Sequence, residues 1–128
     1  EPVIFEIEFR FFVLDRAVAA ASPYVRGGEL ARDADGDWSA SDSELQQARR
    51  CIESVLADAA VALPPAVVID VGLMAGRGWG VVEANPAWAS GVCGCDPAAV
   101  LSVLRRARVP KGRVREDHRR WIRGGCAE

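Results

Sequence analysis

The chain has 128 residues, half of them hydrophobic and 27% charged, with a formal net charge of −2. This is the size and make-up of one globular domain that can bury a core, and no apolar run approaches the ~18 residues needed to cross a bilayer. The N-terminus alternates glutamate with apolar residues and lacks a basic lead-in, so no signal peptide is expected.

Its start directly in a strand, without an initiator methionine, reads as a fragment of a longer protein. Four cysteines, Cys51, Cys93, Cys95 and Cys126, lack the spacing of zinc ligands and read as reduced thiols of a cytoplasmic protein. Charge is unevenly spread. Residues 1–104 carry seven basic and fifteen acidic side chains, whereas residues 105–128 carry nine basic and three acidic, so a basic tail follows an acidic body.

In chain order, Val3 to Leu14 reads as a strand. Phe5, Ile7, Phe9, Phe11 and Val13 share one face at a period of two, and Glu6, Glu8 and Arg10 share the other. Asp15-Arg16 is a turn, and Ala17 to Tyr24 returns as the second strand of a hairpin. Arg26 to Ala40 reads as loop. Its Asp33-x-Asp35-x-Asp37 run lacks the glycine and glutamate of a calcium loop. Ser41 and Glu44 form a capping box for a helix to about Ala60, with Leu45, Ala48, Ile52, Val55, Leu56 and Ala59 as its apolar face. Leu63-Pro64-Pro65 stops it.

Val67 to Asn85 then reads as two strands around Gly76-Arg77, a two-residue type II′ loop. With that loop Ala75 pairs with Gly78 and Asp70 lies opposite Glu83. Asn85 falls on the same face. Two carboxylates directly across a strand pair repel at ~5 Å, and a hard cation such as Mg²⁺ between them would relieve the repulsion. Solvated acids on an open sheet face are the alternative. After a Pro-, Ser- and Gly-containing loop, Asp96-Pro97 starts a second helix. Its apolar residues are Val100, Leu101 and Leu104, and it fades at Arg108-Val109-Pro110. The tail holds a short helix around Val114 to Ile122. The fold class is therefore α+β: a small, mostly antiparallel sheet of two hairpins with one or two helices packed on it. The first helix is expected on one face and the carboxylates on the other, open to a ligand.

The element Asp70, Glu83-Ala84-Asn85-Pro86, then Trp88-Ala89-Ser90-Gly91, together with the strand Glu8-Phe9-Arg10-Phe11-Phe12-Val13, resembles the C-terminal half of the ATP-grasp superfamily over residues 5–107. The resemblance implies a C-terminal lobe over residues 1–109, a basic tail over 110–128 and an N-terminal lobe outside this chain. It implies ATP and Mg²⁺ as cofactors, with Asp70, Glu83 and Asn85 as metal ligands and Arg10 stabilising the transferring phosphoryl group. Glu8, Arg10, Ser90 and Gly91 would contact nucleotide or acceptor. The implied reaction is that of a carboxylate–amine or related ligase acting through an acylphosphate on a small-molecule or peptide carboxylate.

Two readings of Arg10 stand side by side: the phosphate-facing cation, or an ion pair with Glu6 or Glu8. Many ATP-grasp enzymes have arginine two residues before the metal-binding aspartate, where this chain has Val68, so Arg10 or Arg77 would have to serve, or turnover is lost and the domain is a non-catalytic interaction module. Nucleic-acid binding by the tail around Trp121 is a third class, opposed by the acidic body. His118 and Cys126 complete no catalytic set, and Trp88 is a candidate to line the site, packing being the commoner use of tryptophan.

Overall fold

Strand β1 (Phe5–Leu14) forms the spine of the fold. In the computed structural model, which describes residues 3–122, it lies at the centre of a five-stranded antiparallel sheet. Its neighbours are β2 (Ala17–Arg26) and β3 (Glu29–Leu30) on one side, and β4 (Ala66–Met74) and β5 (Gly78–Asn85) on the other. All five strands pair antiparallel, and the α+β class read from the pattern holds. The alternation in β1 separates two cores. Ile7, Phe9, Phe11 and Val13 pack with Val67, Ile69 and Val71 of β4 against Ala48, Ile52 and Leu56 of helix α1 (Asp42–Ala57). Phe5 leaves this face, because the pairing with β4 is irregular between Phe5 and Ile7; its ring lies over Gly72.

The second face is not left open. Phe12, Ala20, Ala66 and Val68 pack under Val100 and Val103 of helix α2 (Pro97–Arg106) and against Ala87 and Cys95. Leu101 points outward and is exposed, so the apolar stripe of α2 is Val100, Val103 and Leu104 rather than the set expected from spacing. With helices on both sides, residues Phe9 to Val13 are all buried.

Local chemistry closes the ends. Asp15 and Arg16 both take positive φ (46° and 64°), as a type I′ hairpin turn demands. The Arg16 guanidinium then donates to the carbonyls of Leu56, Asp58 and Val61. Those groups lie at or beyond the C-terminus of α1, where helix carbonyls have no partner of their own; the helix accordingly ends at Ala57 rather than Ala60. At the other end Ser41 and Glu44 form the capping box. Arg26, at the end of β2, grips the same Glu44 with two hydrogen bonds of 2.9 and 3.0 Å. Hydrogen bonding to Arg26 holds the Glu44 carboxyl down to about 2. A carboxyl lowered in the folded state adds stability above its ordinary value and loses it as pH falls. Glu44→Gln is therefore expected to flatten the loss of stability between pH 4.5 and about 2 in urea titrations, and an unchanged acid limb would show that the pair is not formed.

The segment expected to be all loop contains β3, paired with Val25 and Arg26, and an isolated bridge between Arg32 and Trp38. In the tail, the helix expected from Val114 to Ile122 is one turn, α3 (Glu116–Arg119). His118 is half-buried there and its ring nitrogen accepts from the Arg115 N–H. Cys126 lies outside the described residues. Among the described residues no helix is long and apolar enough to cross a membrane.

Candidate functional site

The site is built from the polar half of the second sheet face, beyond the reach of α2. Asp70 on β4 pairs with Arg10 on one side and with Glu83 on the other. The second pairing is reached by an unexpected route. The turn of the β4–β5 hairpin has three residues, not two. Met74 pairs with Gly78, and the Arg77 N–H donates to the Met74 carbonyl at 3.0 Å. Gly76 and Gly78 both sit at positive φ, which glycine alone adopts without penalty. That turn would set Asp70 against Val82 and send Glu83 into the α1 core.

A β-bulge between Val81 and Glu83 corrects it. Val71 pairs with Val81, the extra residue is Val82, and Asp70 then meets Glu83. Bulges re-aim side chains in this way, because a one-residue slip turns every following side chain to the other face. Asn85 follows Glu83 on the site face, paired with Val68. Deleting Val82 is therefore expected to straighten β5 and leave Glu83 opposite Asp70, whereas deleting Ala84 turns Asn85 toward α1. Cross-strand amide contacts in NMR spectra of the two deletions would check this, and a Glu83 that leaves Asp70 in the first would contradict it.

Asp70 is 1% exposed and Arg10 5% exposed. Arg10 grips Asp70 with both ends of its fork: Nε to Oδ1 at 3.0 Å and Nη2 to Oδ2 at 2.7 Å. Its third nitrogen, Nη1, donates to the Gly91 carbonyl at 3.3 Å. The guanidinium lies over the Tyr24 ring, 3.9 Å from the centroid. Neither Glu6 nor Glu8 is its partner; the buried aspartate directly across the neighbouring strand is. Asp70 is thus covered rather than open, because Arg10 and the 86–95 loop close over it.

Burial pushes the Asp70 carboxyl up, Arg10 pulls it down, and Glu83 adds to the rise. The Glu8 carboxyl is likewise raised by burial and by the charges of Asp70 and Glu83, against the pull of Arg10. Asp70 holds the Arg10 guanidinium above its ordinary value, against burial. Three carboxyl groups, Glu8, Asp70 and Glu83, thus act on one another beside a single guanidinium.

The other expected residues fall as follows. Glu8 is half-buried on β1, between Gly72 and Val25. Ser90 donates from Oγ to the Pro86 carbonyl at 3.0 Å, and Gly91 presents its carbonyl to Arg10. Arg77 is exposed at the hairpin tip, and Trp88 is 66% exposed. Val68 is fully buried in the α2 core.

Sequence reading passed over Tyr24, Ser22 and Cys93. Ser22 pairs with Arg10, and its Oγ accepts the Gly94 N–H at 2.9 Å, tying the 86–95 loop to β2. Cys93 takes φ +53° and donates from Sγ to the Gly91 carbonyl at 3.7 Å. Burial raises its thiol, and burial pushes that of Cys95 up to about 12, so neither is an activated nucleophile. The signal that could have found Ser22 and Tyr24 is their alternation with Ala20 on the strand paired to Glu8-x-Arg10.

Asp70, Glu83 and Asn85 offer only oxygen, the donor type of a hard divalent cation, but both Asp70 oxygens are engaged by Arg10. Among the described residues no three of His, Cys, Asp and Glu gather closely enough to hold a metal by themselves.

An α+β layer with an acidic, one-sided patch beside a Pro-, Ser- and Gly-bearing loop is the class that these features define. A family model described as an ATP-grasp domain, the second family of its clade, matches residues 1–103. The chain belongs to this family of the ATP-grasp superfamily and is an ATP-binding domain. Comparison with curated proteins and with solved structures found no significant match.

Proposed function

We propose that this domain forms the metal–nucleotide floor of a carboxylate–amine or related ligase acting through an acylphosphate. The observation that carries the reading is the bulge-set pair Asp70–Glu83, with Asn85 beside it, in a chain of an ATP-binding family. Asp70, Glu83 and Asn85 would hold Mg²⁺, which supplies screening of polyphosphate charge. Ser90 and Gly91 border the place where phosphate or acceptor would lie, and Arg10 holds Asp70 in orientation. In the reaction class proposed, a substrate carboxylate oxygen attacks the γ-phosphorus and ADP leaves. An amine then attacks the acyl carbon and phosphate leaves. A separate N-terminal lobe would supply the rest of the nucleotide site, and a small-molecule or peptide carboxylate would be the substrate. A cytoplasmic setting suits the free thiols.

Addition of Mn²⁺ with ADP is expected to broaden amide resonances around Asp70, Glu83 and Asn85. Asp70→Asn should remove the effect, with binding weakened by about tenfold or more, a change of about 1.4 kcal/mol. Broadening scattered over surface acids and indifferent to that substitution would sink the reading. A second reading, a non-catalytic module, is favoured by Val68: the position that resembles the superfamily's arginine site is apolar and buried, and Arg10 is engaged by Asp70, Gly91 and Tyr24. ADP release by the full-length protein that depends on a carboxylate would exclude it.

A further inference from the structure

We propose that the stretch from Arg105 to Trp121 is a binding surface for single-stranded nucleic acid, carried beside the nucleotide-binding domain rather than within it.

The charge of the chain changes sign where the family match, over residues 1–103, stops. Residues 1–104 hold seven basic and fifteen acidic side chains, whereas residues 105–122 hold eight basic and two acidic. The two acids are used locally: Asp117 pairs with Arg115 at 2.7 Å and Glu116 with Arg119 at 3.1 Å. Arg106 reaches Asp15 of the β1–β2 turn at 3.7 Å. Arg105, Arg108, Lys111 and Arg113 are exposed, and among the described residues none of the four has an ion-pair partner. The carbonyl end of α2 favours cations within its last turn, which accounts for Arg105 and Arg106. It does not account for Arg108, Lys111 and Arg113, which follow the helix, the last two in the single turn Lys111–Arg113.

The fold itself makes no use of these three cations. Neither that turn nor α3 contributes a residue to the two buried cores. Unpaired like charges repel one another, and a polyanion relieves the repulsion. Guanidinium forks fit phosphate oxygens at two points. Body carboxylates beyond ~8 Å act weakly through physiological salt, whereas a phosphate meets the cations in direct contact.

Two further features select the kind of polyanion. Trp121 closes the stretch, half-buried, with the Arg120 guanidinium 4.7 Å from its ring centroid. An aromatic ring among cations serves a polymer whose units have flat faces, because bases stack on such rings irrespective of sequence. An acidic peptide makes no use of it. The helix in this stretch beyond α2 is one turn, Glu116–Arg119, too short to lie along a duplex groove as recognition helices do. An unpaired strand is therefore the form that fits.

The test titrates the 128-residue chain into a fluorescein-labelled RNA of mixed sequence and about 12 nucleotides, within the span of a small single-strand site, with anisotropy as the readout. Four phosphate contacts at ~0.7 each give a slope of log affinity against log salt of about −3, a loss of about fiftyfold between about 50 and about 200 mM salt. The triple variant Arg108→Gln, Lys111→Gln, Arg113→Gln is expected to flatten the slope to about −0.7 and the loss to about threefold. All three residues are exposed, and the amide spectrum of the sheet should superpose on that of the unaltered chain. Trp121→Leu is expected to weaken binding by about tenfold at unchanged slope, as loss of one stacking contact does.

No binding at about 50 mM salt, or a triple variant that keeps the full slope, would overturn the proposal. Competition by polyglutamate or by vesicles of anionic lipid as effective as that by unlabelled RNA would also overturn it, assigning the cations to an acidic protein or a membrane surface. Tighter binding of duplex RNA than of the single strand would do the same for the unpaired form.

Discussion

Methionine in place of Arg10 is expected to lower the stability of the fold by about 3–5 kcal/mol, the cost of leaving one member of a buried ion pair without its partner. Asp70 is held in the middle of the sheet at 1% exposure, with no water-filled retreat for its charge. Without Arg10 it stays desolvated and faces the charge of Glu83, so it would fold only as the neutral acid. A single substitution of this kind confounds lost attraction with an orphaned charge, and the double variant Arg10→Met with Asp70→Leu separates them. Replacing a whole buried pair by apolar residues of similar volume is often neutral or stabilising by about 1–4 kcal/mol. The double variant is accordingly expected to recover most of the loss in urea denaturation, with strong coupling between the two positions. A loss below about 1 kcal/mol in the single variant would mean that the bridge contributes nothing to folding. Recovery in the double variant would carry a functional message. Two residues that the fold could replace by methionine and leucine without harm, placed beside Glu83 and under the 86–95 loop, are there for what they bind.

The sequence made some of this legible and hid the rest for definable reasons. The period-two alternation of Ile7 to Val13 marks the α1 face because burial on that face is continuous. Ser41 with Glu44, and Asp96 with Pro97, mark helix starts because their chemistry is local. The pairing of Asp70 with Glu83 was read correctly through two offsetting departures. The hairpin turn holds one residue more than a two-residue loop, and the bulge at Val82 restores the count. The bulge has no compositional mark, since valine suits a bulged position as well as a regular one; the mark of the longer turn is Gly78, at positive φ, beside a Gly76-Arg77 pair that also suits a two-residue loop. The Arg10–Asp70 bridge joins residues sixty positions apart, across strands separated by β2, β3 and α1. No local spacing reports it; a reader of the chain pairs Arg10 with Glu6 or Glu8 because they are near in sequence. The cover over the second face was hidden for the same reason. Val100 and Val103 show that α2 has an apolar stripe, but not which surface receives it.

Alanine at Gly94 is expected to destabilise the chain by about 1–3 kcal/mol, the usual range for forcing extra volume into a packed place, and to loosen the loop over the site. A Cβ there would meet three atoms of Trp38, its Cβ, Cγ and Cδ1, at 2.8 Å. The Trp38 Cβ is fixed to the backbone, so rotating the ring does not clear the contact, and the 86–95 loop has to lift. Its tie to the sheet is the Gly94 N–H on the Ser22 Oγ, and its inner end is the Gly91 carbonyl on Arg10. Lifting one therefore strains the other. Thermal unfolding and hydrogen exchange at the Gly94 amide report the two effects separately. Faster exchange at Gly94, accompanied by a shift of the Arg10 Nε–H resonance, would show that the loop and the Asp70 bridge move as one unit. A destabilised chain with an unmoved Arg10 resonance would confine Gly94 to packing and leave the bridge independent of the loop that covers it.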